Sequence, residues 1–438
     1  MRSKLNKEIL NLAVPNILSN LSVPLLSSVD TALVGHLPEP YFIGAVAIGT
    51  MIFNFLYWGF GFLRMGTTGL TAQAYGADNN PEIIRVLGRA LLVAAAGSVL
   101  MIVLQWPIVS FSFFLIEASG DVEYFARSYF YIRIFAAPAT LGLYAMQGWF
   151  LGMQNARYPM ILIITTNLLN IGFTVFFIKV LGMKSDGVAL GTVCAQYSGL
   201  VLALVLFHRK YWGYLKSLKW AHLFYVDALK RFFMLNGDIF IRTLLLIFAF
   251  SLFTAKSAEF GDDILAANSI LLQLWMVFSY GIDGFAFAAE SMVGKYIGAR
   301  SYPTLKVAIR LIFVWGTGLG AAFSVVYGLF DETIIRIYTG QENVVRLALT
   351  FMTWTIAAPV INSICYVWDG VFIGATASKA MRNAMLISTL VFYIPLIYLG
   401  MNLLGNHGMW LALLIFMFMR GLTLTLMAKN HIFNFAES

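Results

Sequence analysis

Charged side chains are scarce in this sequence. Only 11% of its 438 residues are Asp, Glu, Lys or Arg, and 60% are hydrophobic, whereas soluble proteins carry roughly 25% charged residues. Mean hydropathy is +0.80. This composition excludes an ordinary soluble domain and predicts an all-α polytopic membrane protein.

Cysteine and histidine are also few. The two cysteines, Cys194 and Cys365, lie in apolar runs and offer no disulfide or metal framework, and the five histidines lack metal-ligand spacing. The segment GKYIGAR from Gly294 lacks the spacing of a phosphate-binding loop. Because no ATPase or other catalytic motif is found, we predict a protein that is not an enzyme and needs no cofactor. Its energy then comes from an ion gradient.

Twelve apolar runs follow one another along the chain, and a bilayer crossing needs about 20 residues. They lie near residues 10–36, 42–70, 88–114, 124–151, 158–180, 187–208, 232–256, 264–293, 305–330, 344–373, 383–404 and 407–428. With the N-terminus inside, twenty of the 29 Lys and Arg fall in cytoplasmic segments. The positive-inside rule therefore predicts that both termini are cytoplasmic. This topology accounts for the net charge of +8, so no nucleic-acid partner is expected.

The two halves of the chain resemble each other. The segment from Ala72 aligns with the segment from Gly294 at a constant shift, which matches Gly76 with Gly298 and Pro81 with Pro303. A second alignment matches Pro138 with Pro359, Tyr144 with Tyr366, Gly148 with Gly370 and Gly152 with Gly374. We predict two six-helix bundles related by a pseudo-twofold axis along the membrane normal. They are an N-lobe (1–208) and a C-lobe (232–438), joined by a basic cytoplasmic linker (209–231).

Asp30 is a lone carboxylate in the first apolar run, where a charge costs about 2.5–3.5 kcal/mol. The shift that matches Gly76 with Gly298 places Leu252 opposite Asp30, so the repeat itself does not require an acid. Pro15 and Pro24 precede Asp30, and each removes a helical hydrogen bond, which favours bending of this helix. We interpret Asp30 as a proton-binding group. The alternative is a structural cap or brace.

Other charges also lie within predicted spans. Asp238 and Arg242 stand at i and i+4 on one helix, a spacing that predicts an ion pair. A relay through Asp238, Asp283 and Asp369 is the second choice for ion coupling. Arg64 has no partner nearby in sequence, and we expect it to contact the C-lobe or a cytoplasmic gate.

Several motifs together resemble the multidrug and toxic compound extrusion (MATE) family, in its DinF-like branch. They are the Pro-to-Asp arrangement of the first helix, NLLNIGFT followed by DGVALGTV, the YGA and IGA segments, and VWDGVFIGATASKAMRNAM from Val367. The resemblance implies an antiporter that exports cationic or amphipathic compounds in exchange for H+ or Na+. It covers nearly the whole chain.

The resemblance also implies site residues. The family's helix 1 carboxylate and proline match Asp30 and Pro15, and its N-lobe cation cluster matches Asn170, Thr174 and Thr192. Thr174 stands where several relatives have an aspartate. Asn362 stands where other branches have a C-lobe acid.

The missing acid at position 174 favours H+ over Na+ as the coupling ion, with Na+ at Asp30 as the alternative. We expect a monomer in the bacterial inner membrane that transports small amphipathic drugs, contacts membrane lipid and supports antibiotic resistance. The rival functions are a lipid-linked saccharide flippase and a channel or sensor.

Overall fold

A computed structural model describes residues 1–35, 39–116, 118–218 and 220–433. Within these ranges, the side chains of residues 25–28, 30–32, 34, 220 and 221 lie outside the description. For Asp30 the structure therefore gives a helical backbone and no side-chain position.

The described chain is helical and contains no strand. The α-helices are α1 (Arg2–Gly35), α2 (Tyr41–Gly59), α3 (Phe62–Gly76), α4 (Asn80–Val103), α5 (Gln105–Leu115), α6 (Gly120–Arg133), α7 (Ala137–Gly152), α8 (Arg157–Val175), α9 (Ser185–Tyr211), α10 (Val226–Ala258), α11 (Asp262–Gly298), α12 (Tyr302–Leu329), α13 (Asp331–Tyr338), α14 (Glu342–Gly374), α15 (Ser378–Leu386), α16 (Ile394–Leu404) and α17 (Asn406–Ala428). Short 3-10 turns cover Ile134–Ala136, Trp212–Ser217 and Trp220–Phe224, and π-helical turns cover Phe176–Val180, Ile387–Tyr393 and Lys429–Phe433.

Eleven helical segments of the described chain are long and apolar enough to cross a membrane. They are Tyr41–Gly76, Asn80–Val103, Gly120–Gly152, Arg157–Val180, Ser185–Ser217, Val226–Ala258, Asp262–Gly298, Tyr302–Leu329, Glu342–Gly374, Ser378–Leu404 and Asn406–Phe433. They coincide with the second to twelfth predicted runs, and the 34-residue helix α1 covers the first. The prediction of an all-α, multi-pass membrane protein is confirmed.

The residues group into two compact units. The N-unit is Leu18–Phe232, and the C-unit combines Met1–Ile17 with Phe233–Ser438. The boundary therefore passes through α1 between Pro15 and Pro24, whereas the predicted N-lobe comprises all of residues 1–208. Residues 209–231, predicted as a linker, group with the N-unit.

Each unit has its own aromatic core. In the N-unit, the Trp149 indole donates to Ile83 O over 2.9 Å within a cluster of buried aromatic side chains. In the C-unit, the Trp410 indole donates to Asn268 Oδ1 over 2.8 Å, and its ring packs against Phe253. Burial of such large side chains stabilises the interior, while hydrogen bonds satisfy the indole nitrogens.

The backbone repeats at the spacing that the sequence alignment predicts. Four non-glycine residues of the described chain have positive φ: Asp78 (50°), Gln154 (61°), Arg300 (52°) and Thr376 (54°). Under the shift that matches Gly76 with Gly298, Asp78 corresponds to Arg300 and Gln154 corresponds to Thr376. Each follows the end of a helix, where a left-handed residue closes the last turn.

Glycines permit the same close helix crossing in both units. A methyl group at Gly152 would lie 2.8 Å from Thr68 O in the N-unit, and one at Gly374 would lie 2.6 Å from Glu290 O in the C-unit. The same shift relates both partners of these two contacts. The paired crossings pack α3 against α7 and α11 against α14; α7 also contacts α9, and α14 carries Asp369.

Candidate functional site

A buried polar cluster joins α8 to α9 in the N-unit. Asn170 Nδ2 donates to Thr192 Oγ1 over 3.0 Å, and the Thr192 hydroxyl donates to Val188 O over 3.1 Å. Thr174, one turn beyond Asn170, is fully buried. Gly191 allows the close approach of the helices, because a methyl group there would lie 2.9 Å from the Thr174 nitrogen. The structure thus brings three of the predicted site residues together.

Two oxygens of this cluster, Asn170 Oδ1 and Thr174 Oγ1, have no hydrogen-bond partner among the described residues. The single proton of the Thr192 hydroxyl goes to Val188 O, so Thr192 accepts from Asn170 and cannot donate to it. Asn170 Oδ1 is therefore a buried acceptor for which the described residues supply no donor. Such a group costs about 1–3 kcal/mol until a donor or a cation satisfies it.

The second half of α1 contacts α8 beside this cluster. Asn167 Nδ2 donates to Ser22 Oγ over 3.0 Å, and Ser22 Oγ donates to Ser19 O over 2.6 Å. Asn167 precedes Asn170 by one helical turn. Asp30 follows Ser22 by about two turns of α1, and its side chain lies outside the described residues.

Both predicted bending residues, Pro15 and Pro24, lie inside α1, which is assigned as one helix from Arg2 to Gly35. Next to Pro15, the Asn16 amide Nδ2 donates to Leu12 O over 2.7 Å. Polar side chains of this kind bind backbone carbonyls near a proline in a membrane helix. The helix continues through both prolines.

The first half of α1 is anchored inside the C-unit. Tyr296 Oη donates to Glu8 Oε2 over 2.7 Å, and Lys295 Nζ lies 3.5 Å from the same oxygen. The Trp315 indole donates to Asn6 Oδ1 over 3.1 Å. These contacts attach the amino end of α1 to α11 and α12.

The predicted ion pair between Asp238 and Arg242 is wrong. Asp238 instead accepts from Arg382 Nη1 over 2.6 Å and from Ser378 Oγ over 2.9 Å. Arg242 binds Asp369 of α14. Although the i, i+4 spacing makes an intrahelical pair available, each side chain has a better-placed partner on a neighbouring helix.

Asp369 is the centre of a buried charge cluster in the C-unit. It accepts from Arg242 and, over 2.7 Å, from Arg420 Nη2 of α17. The side chains of Arg242, Asp369 and Arg420 are 7%, 8% and 2% exposed. The positive-inside count includes Arg420 among the twenty cytoplasmic cations, although it lies within the last apolar run, 407–428. The unbroken apolar run immediately before it was the signal that it lies within the span.

The remaining predicted residues are placed as follows. Asn362 of α14 is fully buried, and neither atom of its amide group has a hydrogen-bond partner among the described residues. Asp283 lies half-buried on α11. Arg64 lies on α3, and its backbone carbonyl accepts from Thr68 Oγ1 over 2.9 Å. Asp238 and Asp369 of the predicted relay bind different arginines.

Comparison with known proteins places these sites in a family context. The family model MatE matches residues 15–176 and 239–399. The chain is 38% identical over 437 residues to DNA damage-inducible protein F of Escherichia coli (strain K12), which covers 97% of this chain and 92% of that protein. It is 24% identical over 421 residues to the probable multidrug resistance protein NorM of Bacillus cereus, over 93% of this chain and 90% of that protein.

Solved structures share the fold. A MATE protein in complex with MaL6 matches with a TM-score of 0.88 at 19% identity, over 99% of this chain and 98% of that chain. The bent form of the Vibrio cholerae MATE transporter VcmN matches with a TM-score of 0.87 at 18% identity, over the same shares. From the family match and the 38% identity, this chain belongs to the MatE family of multidrug and toxic compound extrusion transporters, which are not enzymes.

Proposed function

We propose that this transporter exports cationic or amphipathic compounds across the bacterial inner membrane in exchange for protons, by alternating access. Asp30 is the proton-binding group, and Asn170, Thr174 and Thr192 are its polar neighbours. The observation that carries the proposal is the buried Asn170 Oδ1, which lacks a donor among the described residues. A protonated carboxylic acid supplies such a donor, whereas an ionised carboxylate only accepts.

The spacing along α1 and α8 supports this role for Asp30. Three spanning segments separate the two helices, so both run in the same direction. Beyond the contact of Ser22 with Asn167, eight residues of α1 rise about 12 Å and seven residues of α8 rise about 10.5 Å. A parallel rise brings the Asp30 backbone to the depth of Thr174.

The oxygen set favours a proton over a sodium ion. Na+ is a hard cation that requires several oxygen ligands, and here the described candidates are Asn170 Oδ1 and Thr174 Oγ1. Asp30 would have to supply all of the negative charge that balances the sodium ion. A single proton on Asp30 satisfies Asn170 Oδ1 and neutralises the carboxylate in one step, which removes the cost of a buried charge.

Bending of α1 is the proposed link between protonation and substrate release. The amino end of α1 is anchored by Glu8 to Tyr296, and the second half is bound by Ser22 to Asn167. Pro15 lies between these anchors and Pro24 lies just beyond the second, and a proline supplies no backbone N–H to the helix. Protonation of Asp30 changes the hydrogen bonds of the second half and thereby shifts the conformation of α1.

Ethidium efflux from proteoliposomes tests the proposal, with proton and sodium gradients imposed separately. We expect a proton gradient to drive efflux by the wild type and by Asp263→Asn, a control at an exposed acid. Asp30→Asn should abolish this efflux. Proton-driven efflux by Asp30→Asn would refute the coupling role, and efflux driven only by sodium would establish the alternative ion.

A lipid-linked saccharide flippase is the second candidate. A site for pyrophosphate would be expected to present several arginines to its ligand. The three buried arginines of the described chain, Arg89, Arg242 and Arg420, each bind a carboxylate. This pairing favours drug export over the flippase, and the absence of lipid-linked sugar transport by purified protein would support that choice.

A further inference from the structure

An apolar groove of about 720 Å³ lies between α4 and α9 in the N-unit. Leu87 and Leu91 form one wall, and Leu204 and Val205 form the other. This volume lies within the range of about 300–1,000 Å³ that ligand sites occupy. The groove belongs to neither cluster of buried polar residues described above.

The segment that follows α9 covers one end of the groove. Leu215 and Leu218 line it, and Leu223 reaches back to α4. A methyl group at Gly88 would lie 2.7 Å from Leu223 Cδ2, so the glycine permits this contact. Arg89 holds the segment in place by donating to His222 O over 3.3 Å and to Leu223 O over 3.4 Å.

The groove is open on the side of the helices that faces outwards. Val201, Leu204 and Val205 of α9 are 60%, 51% and 43% exposed, and Leu92 of α4 is 39% exposed. In a chain that crosses a bilayer, such side chains meet lipid tails. An acyl chain can therefore enter the groove from the side.

The covered end of the groove carries positive charge. His208, Arg209 and Trp212 line it, and all three are exposed. The His208 and Trp212 rings lie 4.5 Å apart. Lys210 points elsewhere, because its Nζ lies 5.6 Å from the Tyr158 ring and 5.4 Å from the Tyr211 ring. Arg209 and Trp212 therefore border the groove at the end where the leucine wall stops.

We propose that this groove binds one anionic phospholipid. An acyl chain lies along Leu87, Leu91 and Val205, and the phosphate of the headgroup binds Arg209, with His208 and Trp212 beside it. Basic pockets between membrane helices bind acidic headgroups, and tryptophan prefers the level of the headgroups. An apolar wall with a cationic end matches a phospholipid better than it matches a cationic drug, which Arg209 would repel.

Native mass spectrometry of the full chain, titrated with phosphatidylglycerol, tests this proposal. We expect one lipid to bind, and Arg209→Gln to weaken it by about fivefold, as for the loss of one basic residue at an anionic lipid. Val205→Trp should weaken it further by filling the groove. Two matched controls, Lys210→Gln and Val99→Trp, change a neighbouring cation and a valine that is 59% exposed on α4. They should bind like the wild type.

Several outcomes would overturn the proposal. Equal binding by all four variants would show that the lipid lies elsewhere. Equal binding of phosphatidylcholine would show that the headgroup charge is not recognised. Displacement of the lipid by inorganic phosphate alone would show that the site binds phosphate and that the acyl chain does not contribute. Displacement by ethidium would make the groove a drug site. Efflux assays on Val205→Trp report separately whether the variant is folded.

Discussion

Asn170 and Thr192 are joined by a hydrogen bond of fixed direction, because the Thr192 hydroxyl donates to Val188 O and can only accept from Asn170. The carbonyl oxygen of the Asn170 amide is thereby turned away from Thr192. This direction leaves the amide oxygen available as an acceptor, which the proposed role of Asp30 requires.

Thr192→Val should therefore lower proton-driven efflux by about tenfold, because a buried amide that loses its partner costs about 1–3 kcal/mol. Thr192→Ser keeps the hydroxyl and should retain most of the activity. The measurement is initial efflux from proteoliposomes at matched protein content. Equal activity of the valine and serine variants would show that the direction of this bond is unimportant.

Asp369→Asn should destabilise the C-unit by about 3–5 kcal/mol, because it leaves the buried cations of Arg242 and Arg420 without their anion. Thermal unfolding in detergent measures the loss. Arg336→Gln is the control, since it breaks another three-charge cluster, that of Arg336 with Glu332 and Glu342, in which the Arg336 side chain is 43% exposed. Equal melting temperatures for the two variants would contradict the structural role of the cluster.

Glu8→Ala should loosen the amino end of α1, because it removes the contacts with Tyr296 and Lys295. Hydrogen exchange of residues 2–17 should become faster. Glu8→Gln still accepts from the tyrosine hydroxyl and should show a smaller change. If neither variant alters exchange in this segment, other contacts hold the helix end.

Gly374→Val should prevent folding or lower the melting temperature sharply, because the side chain would collide with the backbone at Glu290. Gly152→Val should do the same in the N-unit, against Thr68. Gly172→Ala is the control, since no atom lies within 4 Å of an added methyl group. Alanine there should be neutral or stabilising by up to about 1 kcal/mol. Tolerance of valine at both crossings would contradict the close packing.

The apolar runs predicted the helices well, because bilayer thickness fixes their length and the lack of charge marks their position. The internal repeat was also predictable, since glycine is required where two helices cross closely. Partners of charged residues were less predictable. Asp238 pairs with Arg382, which is 144 residues away, and the spacing along one helix carries no information about a neighbouring helix.

The candidate site was also predictable in its residues but not in their contacts. The family resemblance predicts that Asn170 and Thr192 lie in one cluster, but the direction of their hydrogen bond depends on Val188 O, which only the structure shows. The positive-inside count places Arg420 in a cytoplasmic segment, because the sequence alone does not show which way a charge inside an apolar run points. Only the packing of α10, α14 and α17 shows that it turns inwards to Asp369.

The left-handed turns at Asp78 and Arg300, and at Gln154 and Thr376, are built from residues of unlike chemistry. The two halves of the protein thus preserve a backbone path and leave the side chains along it to diverge. Because the backbone arrangement is repeated, a polar residue can be present in one half and absent from the matched position of the other. An acid at position 30 and a leucine at position 252 can then stand at matched positions of the repeat with different chemistry.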